Sequence, residues 1–155
     1  MLFTDIVGST ERVALVGNDR WRTIIELHDS LTEAVVSRFG GAVVNTTGDG
    51  VLAHFSSPSH AVLAAMTLLS DVRAHDVSMR AGLHAAEVDI GAHGLSGIGV
   101  HIAARIASFA GPSQILVSRT IVDLLLGSRQ QFRLFGRHAL KGVPGDWDIY
   151  EILDS

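Results

Sequence analysis

Two carboxylates stand where a cation could be held. Asp5 closes a short apolar run, Met1 to Ile6 (MLFTDI), and Asp49 sits between two glycines in NTTGDGVLAHF. A carboxylate at the end of a buried strand is costly unless something answers its charge. The glycines around Asp49 let the backbone approach a neighbour closely. If the first strand lies beside the segment carrying Asp49, both acids project toward one point. Hard divalent cations such as Mg²⁺ take oxygen ligands, commonly one or two carboxylates completed by substrate phosphates. The plainer alternative makes Asp49 a turn residue and Asp5 a cap for the next element of the chain, and spacing alone leaves both open.

Three further features bear on chemistry. Val7-Gly8-Ser9-Thr10 follows the first strand and precedes a helical pattern, an order that builds a generic anion seat from backbone N–H groups. Ser9 or Thr10 would serve equally as a helix N-cap. No G-x-x-x-x-G-K-[ST] run occurs, so this is not a Walker loop. His101 and Arg105 are four residues apart in IGVHIAARIASFA and share a helix face. An arginine on a helix otherwise made of small and apolar residues must reach something polar. The charge that builds on a phosphoryl group in its transition state is one such target, and a surface salt bridge is the ordinary one. Lys141, in Leu140-Lys141-Gly142-Val143, is a lone cation in a glycine-flanked turn. The remaining histidines lack H-E-x-x-H spacing, which argues against zinc.

Composition narrows the class. At 155 residues the chain fits one domain, 1–155, with 47% apolar and 18% charged residues, which excludes a disordered chain. Its formal charge of −4 comes with no basic block, so a nucleic-acid partner is not expected. The absence of cysteine removes disulfides, thiolate metal sites and cysteine catalysis. No apolar run approaches ~18 residues, and the opening has no basic n-region. The expectation is a cytoplasmic domain without membrane contact from this segment.

The scaffold around these residues is read from periodicity. Met1–Ile6 reads as a strand. Asp19–Phe39 reads as a helix with Trp21, Ile24, Ile25, His28, Leu31, Val35 and Val36 on one side, capped by Asn18 or Asp19 and stopped by Gly40-Gly41. AVVNTTGDGVLAHF reads as a hairpin turning at Gly48-Asp49-Gly50. Ser57-Pro58-Ser59 opens a second helix with Val62, Met66, Leu69 and Val72 on one face. Ser78–Ile90 reads as a strand or bent strand pair, 91–97 as a flexible loop, and Ile98–Ala110 as a helix closed by Gly111-Pro112. Ile115–Val117 is a strand, Arg119–Leu126 a short helix, and Gln131–Phe135 and Trp147–Leu153 are closing strands. Alternating strands and helices with hairpins imply an α+β fold with a largely antiparallel sheet.

Taken together, FTDIVGST, NTTGDGVLAHF, GVHIAARIASFAGPSQILVS and LKGV resemble the class III nucleotidyl cyclase catalytic domain, in its actinobacterial type with V-H-I-x-A-R in the fourth helix. The resemblance runs nearly the whole chain in order and spacing. It implies a ferredoxin-like α+β sandwich that dimerises head to tail, with active sites at the interface. It implies an adenylate cyclase converting ATP to 3′,5′-cyclic AMP and pyrophosphate with two Mg²⁺ or Mn²⁺ ions per site. Asp5 and Asp49 would bind the metal with the backbone carbonyl of Ile6, while Val7, Gly8, Ser9 and Thr10 hold the phosphates. Arg105 would stabilise the α-phosphoryl group, and Lys141 would contact the triphosphate. The acids come from one protomer, and the base-reading and transition-state residues from the other.

Three departures bear on specificity. The family's adenine-selecting lysine falls at Asn45, and its acidic partner falls at Gly94, with His93 or Ser96 as possible substitutes. The transition-state asparagine is replaced by His101, which can still donate to the ribose oxygen or phosphate. The alternatives are a relaxed-specificity or guanylate cyclase acting on GTP, and a weakly active cyclase-like module that binds nucleotide and regulates attached domains.

Overall fold

The computed structural model describes residues 1–91 and 94–154. In chain order the elements are β1 (Leu2–Ile6), α1 (Ser9–Val16), α2 (Asn18–Arg38), β2 (Ala42–Thr47), β3 (Gly50–His54), α3 (Pro58–Arg73), β4 (Met79–Leu83), β5 (Asp89–Gly91), β6 (Gly94–Ser96), α4 (Ile98–Phe109), β7 (Ile115–Ser118), α5 (Arg119–Leu124), β8 (Gln131–Ala139) and β9 (Asp146–Leu153). The large sheet runs β2-β3-β1-β4-β7-β9-β8. Every pairing in it is antiparallel except β4 with β7, whose crossover carries α4. This is the α+β architecture expected from the alternation of elements.

Helices cover both faces of the sheet. Alternation along β1 buries Leu2, Thr4 and Ile6 on one side. Leu2 and Ile6 join Val35 of α2 and Val62, Ala65, Leu68 and Val72 of α3 in the main core. On the other side Ile102, Ile106 and Ala110 pack on Leu116, Ile149 and Leu140. Phe3, Leu52 and Val44 meet Ala103 and Val100 beside them. The small residues of α4 serve a close approach. A Cβ at Gly82 of β4 would lie 2.7 Å from the Ala103 carbonyl oxygen and 2.8 Å from Ala107 Cα, and closer still to Ala107 N. Behind the start of α4, buried His84 has Nδ1 2.6 Å from Ser118 Oγ, with Trp147 edge-on at 5.6 Å. Burial, reinforced by the Met1 amino group, lowers the His84 pKa to about 4.

Several boundaries differ from the sequence expectations. The expected Asp19–Phe39 helix is α2, and a separate helix, α1, precedes it; Gly17 (φ 86°) is the N-cap of α2, so neither Asn18 nor Asp19 supplies a side-chain cap. Helix α2 ends as expected before Gly40, which takes a left-handed φ of 77°. Ser57 does cap α3, its hydroxyl accepting from the His60 amide at 3.4 Å with Pro58 in the first turn. Part of the 91–97 loop is paired, because β5 and β6 form a small separate hairpin. Strand β8 runs on to Ala139, and its register shifts between Leu134 and Gly136, leaving Phe135 as the bulged residue.

Candidate functional site

The register of β1 brings the two acids to one end of the sheet. Asp5 stands opposite Gly50, and Asp49 is the residue just before it, in the two-residue turn Gly48-Asp49 that joins β2 to β3. Positive φ at Gly48 (62°) supplies the first central position such a tight turn demands. Asp49 is therefore a turn residue and also a neighbour of Asp5. The alternative of Asp5 as a cap is excluded by its place inside β1.

Asp5 lies on the α4 side of the sheet, two residues from Phe3, and its Oδ2 accepts from Arg80 Nη2 at 3.0 Å. Arg80 is its direct cross-strand partner on β4. The same guanidinium donates through Nη1 to the carbonyls of Ser108 (3.2 Å) and Ala110 (3.4 Å) at the end of α4. Arg80 was not singled out from the sequence. The signal was there: in SMRAGLH the buried residues Met79, Ala81 and Leu83 alternate with Arg80, so a cation faces the other side of an interior strand.

Ile6 is buried, and the Val7 amide donates to the Ser78 carbonyl at 2.8 Å, which holds the chain as it leaves β1. Gly8 is the N-cap of α1 in the left-handed region (φ 68°), with no side-chain cap bond. Ser9 and Thr10 belong to the first turn of α1, so neither is the N-cap. Their amides and the glycine lie beyond the tip of β1, on the end of the sheet where Asp5 sits. The donor set suits a hard cation: two acidic residues brought to neighbouring backbone positions by the β1–β3 register, with the Ile6 main chain beside Asp5. Among the described residues no group of three or more His, Cys, Asp or Glu side chains is clustered.

The other expected site residues are placed elsewhere in the chain. His101 and Arg105 are exposed, one turn apart, on the face of α4 opposite Ile102, Ala103, Ile106 and Ala107. Neither side chain has a hydrogen bond or ion pair among the described residues. Asn45 is exposed on β2 and pairs in register with Leu52, whose side chain packs toward α4. Gly94 of β6 lies over β2, since a Cβ there would come within 3.3 Å of Val44 Cγ1. Its φ of 97° suits glycine. Ser96 is exposed, and His93 lies outside the described residues.

Lys141 is exposed in a turn closed by the Val143 amide on the Leu140 carbonyl (2.9 Å), with Gly142 at φ 81°. That turn leads into β9, whose start lies past Ser118 of β7. It is therefore at the end of the sheet remote from Asp5. Within one chain Lys141 is thus remote from the acids and the Val7–Thr10 segment, while His101 and Arg105 point away from the sheet on the outer face of α4, whose last turn Arg80 ties to Asp5.

Among known proteins, the family model described as the adenylate and guanylate cyclase catalytic domain matches residues 1–153. An uncharacterized Mycobacterium tuberculosis protein is 36% identical over 125 residues, covering 79% of this chain and 33% of its own length. The adenylyl cyclase CyaB from P. aeruginosa superposes with a TM-score of 0.91 at 20% identity, covering 99% of this chain and 92% of that one. The guanylate cyclase domain of RhGC from Catenaria anguillulae, in complex with GTP, gives 0.82 at 19% identity, covering 98% and 93%. At such identities the likeness shows the fold. The chain spans about half the length, or less, of the curated relatives it matches. No described helix is long and apolar enough to cross a membrane.

Proposed function

The chain belongs to the adenylate and guanylate cyclase catalytic domain family, and from that footing we propose that it is a cytoplasmic adenylate cyclase, a single catalytic domain over 1–155 that works as a homodimer on ATP. The observation that carries this reading is the juxtaposition of Asp5 and Asp49 through the β1–β3 register. Two bound Mg²⁺ or Mn²⁺ ions would lower the pKa of the ribose 3′-hydroxyl and neutralise the leaving pyrophosphate.

The chain's own residues do the rest. Asp5, Asp49 and the Ile6 carbonyl hold the cations, and the backbone from Val7 to Thr10 receives the phosphates. The 3′-oxygen forms a bond to the α-phosphorus as the bridging α–β P–O bond breaks, pyrophosphate leaves with that bond's electron pair, and the hydroxyl proton passes to solvent water. Arg105, on the outer face of α4, is free to reach a partner's nucleotide and meet the charge on the α-phosphoryl oxygens. His101, one turn earlier, donates to the ribose or phosphate, and Lys141 binds the triphosphate. The remoteness of Lys141 from Asp5, with His101 and Arg105 facing outward from α4, favours a site completed by a second copy.

A second reading has its own observation. Gly94 presents no side chain over β2, and Asn45 carries no charge, so the base contact lacks an acid–lysine pair to favour adenine. An amide donates to and accepts from either purine edge, which favours relaxed ATP and GTP use. The deciding experiment is the purified domain with Mn²⁺ and either triphosphate, assayed for cyclic product across protein concentration. Product from ATP is expected, with specific activity rising with concentration. Asp49→Ala should abolish turnover while the dimer persists. Full activity in that variant refutes the metal assignment, and no product from either nucleotide at high concentration favours a regulatory module.

A further inference from the structure

His84, just past β4, Ser118 of β7 and Trp147 of β9 meet at the ends of three adjacent strands. Nδ1 of His84 lies 2.6 Å from Ser118 Oγ, and the ring meets the Trp147 indole edge-on, centroids 5.6 Å apart and planes at 83°. The same ring underlies the first turn of α4, since a Cβ on Gly99 would stand 3.9 Å from His84 Cδ2. From this base the indole donates outward, Nε1 to the Pro144 carbonyl at 3.2 Å. Pro144 belongs to the turn that carries Lys141. That turn needs holding, because Gly142 (φ 81°) and Gly145 (φ 84°) both take left-handed conformations, and glycine leaves a free chain many others. Leu140 is buried beneath it, and Val143 packs in the same cluster as Trp147.

We propose that Trp147 is a positioning residue for Lys141, its indole seated on His84 and its N–H fixing the turn from which Lys141 meets the triphosphate. The role depends on the triphosphate contact read for Lys141. Indole combines a large apolar body with a single fixed donor; here the body rests on His84 while the donor closes the turn. A turn ordered beforehand spares the cost of ordering it on binding. The phosphate charges are present before the reaction as well as during it, so the gain falls on nucleotide affinity and KM more than on kcat. One buried base thereby carries both the Lys141 turn and the start of the helix that bears His101 and Arg105.

The test is a double-mutant cycle on the full chain, read as affinity for inorganic tripolyphosphate by calorimetry and as KM and kcat with ATP and Mn²⁺. Tripolyphosphate carries the charges without a base, so its binding is independent of purine preference. Lys141→Ala should weaken that binding about tenfold, the weight of one hydrogen bond to a charged group. Trp147→Phe keeps an aromatic ring against His84 and removes the donor. It should weaken binding and raise KM about fivefold, with kcat within about twofold of wild type. In the Lys141→Ala background Trp147→Phe should change neither quantity further. Gly145→Ala adds a Cβ that meets nothing within 4 Å but strains the turn at its positive φ; it should raise KM likewise, and it decides the matter if Trp147→Phe does not fold. Wild-type affinity and KM in Trp147→Phe or in Gly145→Ala, or an equal loss from Trp147→Phe on both backgrounds, overturns the role of Trp147. Wild-type affinity and KM in Lys141→Ala overturns the triphosphate reading of Lys141 instead.

Discussion

Placing one methyl group at Gly82 tests how tightly α4 is fixed to the sheet. A Cβ there would stand 2.7 Å from the Ala103 carbonyl oxygen and 2.8 Å from Ala107 Cα, where ordinary contact begins near 3.4 Å. Helix and strand must then separate by at least about 0.7 Å, the difference between those distances. Both obstacles are main-chain atoms, so no rotamer change relieves them. Overpacking of this kind costs about 1–3 kcal/mol. For a chain of this size each kcal/mol moves Tm by about 2–4 °C, so Gly82→Ala should melt about 4–8 °C below wild type at the middle of that range. The same retreat carries Arg105 outward, because it lies between Ala103 and Ala107. Misplacement of a catalytic group by about 1 Å can cost ~10²-fold in rate, so under the transition-state role proposed for Arg105 cyclase turnover should fall further than the loss of folded protein explains. Thermal melts and assays below the melting range separate the two effects. Ala107→Gly should not rescue the variant, since the offending atoms remain. A Gly82→Ala protein with wild-type Tm, or a full rescue by Ala107→Gly, would show that α4 is not held as described.

The pH dependence of stability should carry a signature of His84. Its pKa is lowered from 6.5 to about 4 chiefly by burial, so the folded state binds fewer protons than the unfolded one between those values. Stability is therefore full above pH ~6.5 and is lost as pH falls toward ~4, by roughly 2 kcal/mol after allowing for partial solvent screening. His84→Gln should flatten that part of the urea-midpoint profile relative to wild type; parallel profiles would remove His84 as the cause. Asp5→Asn and Arg105→Ala chains should each be inactive alone, yet regain about a quarter of wild-type activity when mixed equally. Half of random dimers are mixed, and each mixed dimer holds one intact site of two. No recovery in a subunit-exchange assay would place both residues in one chain's site.

Much of the fold was legible because the periodic signals were long. The apolar stripe of α2 faces the core as its spacing required, with His28, Val35 and Val36 buried and Trp21, Ile24, Ile25 and Leu31 partly buried, and Ser57-Pro58 marked the start of α3. Asp49 was readable because a glycine-flanked turn between two strand patterns has few other geometries. Arg80 escaped notice for a physical reason. Its meaning lies in pairing with Asp5 across a register of strands 75 residues apart, and a single strand's alternation does not reveal its neighbour. Helix α1 was not bounded in the sequence because it is only eight residues long and buries none of them. The β5–β6 hairpin is only three residues a side and exposed, too short for alternation to register.

The bulge at Phe135 has a consequence for the chain among its own kind. Strand β8 ends the large sheet, so its outer backbone groups have no ladder partner among the described residues. Such a rim invites another chain to add itself. Here Phe135 interrupts the repeat midway, its ring turned toward His138, which stacks on Phe109 at 4.6 Å. Arg133 and Arg137 flank the interruption with charge. A would-be growing fibre therefore meets a broken template lined by the ion pairs Arg133–Glu151 and Arg137–Asp148, and this border of the sheet is a poor place to begin one.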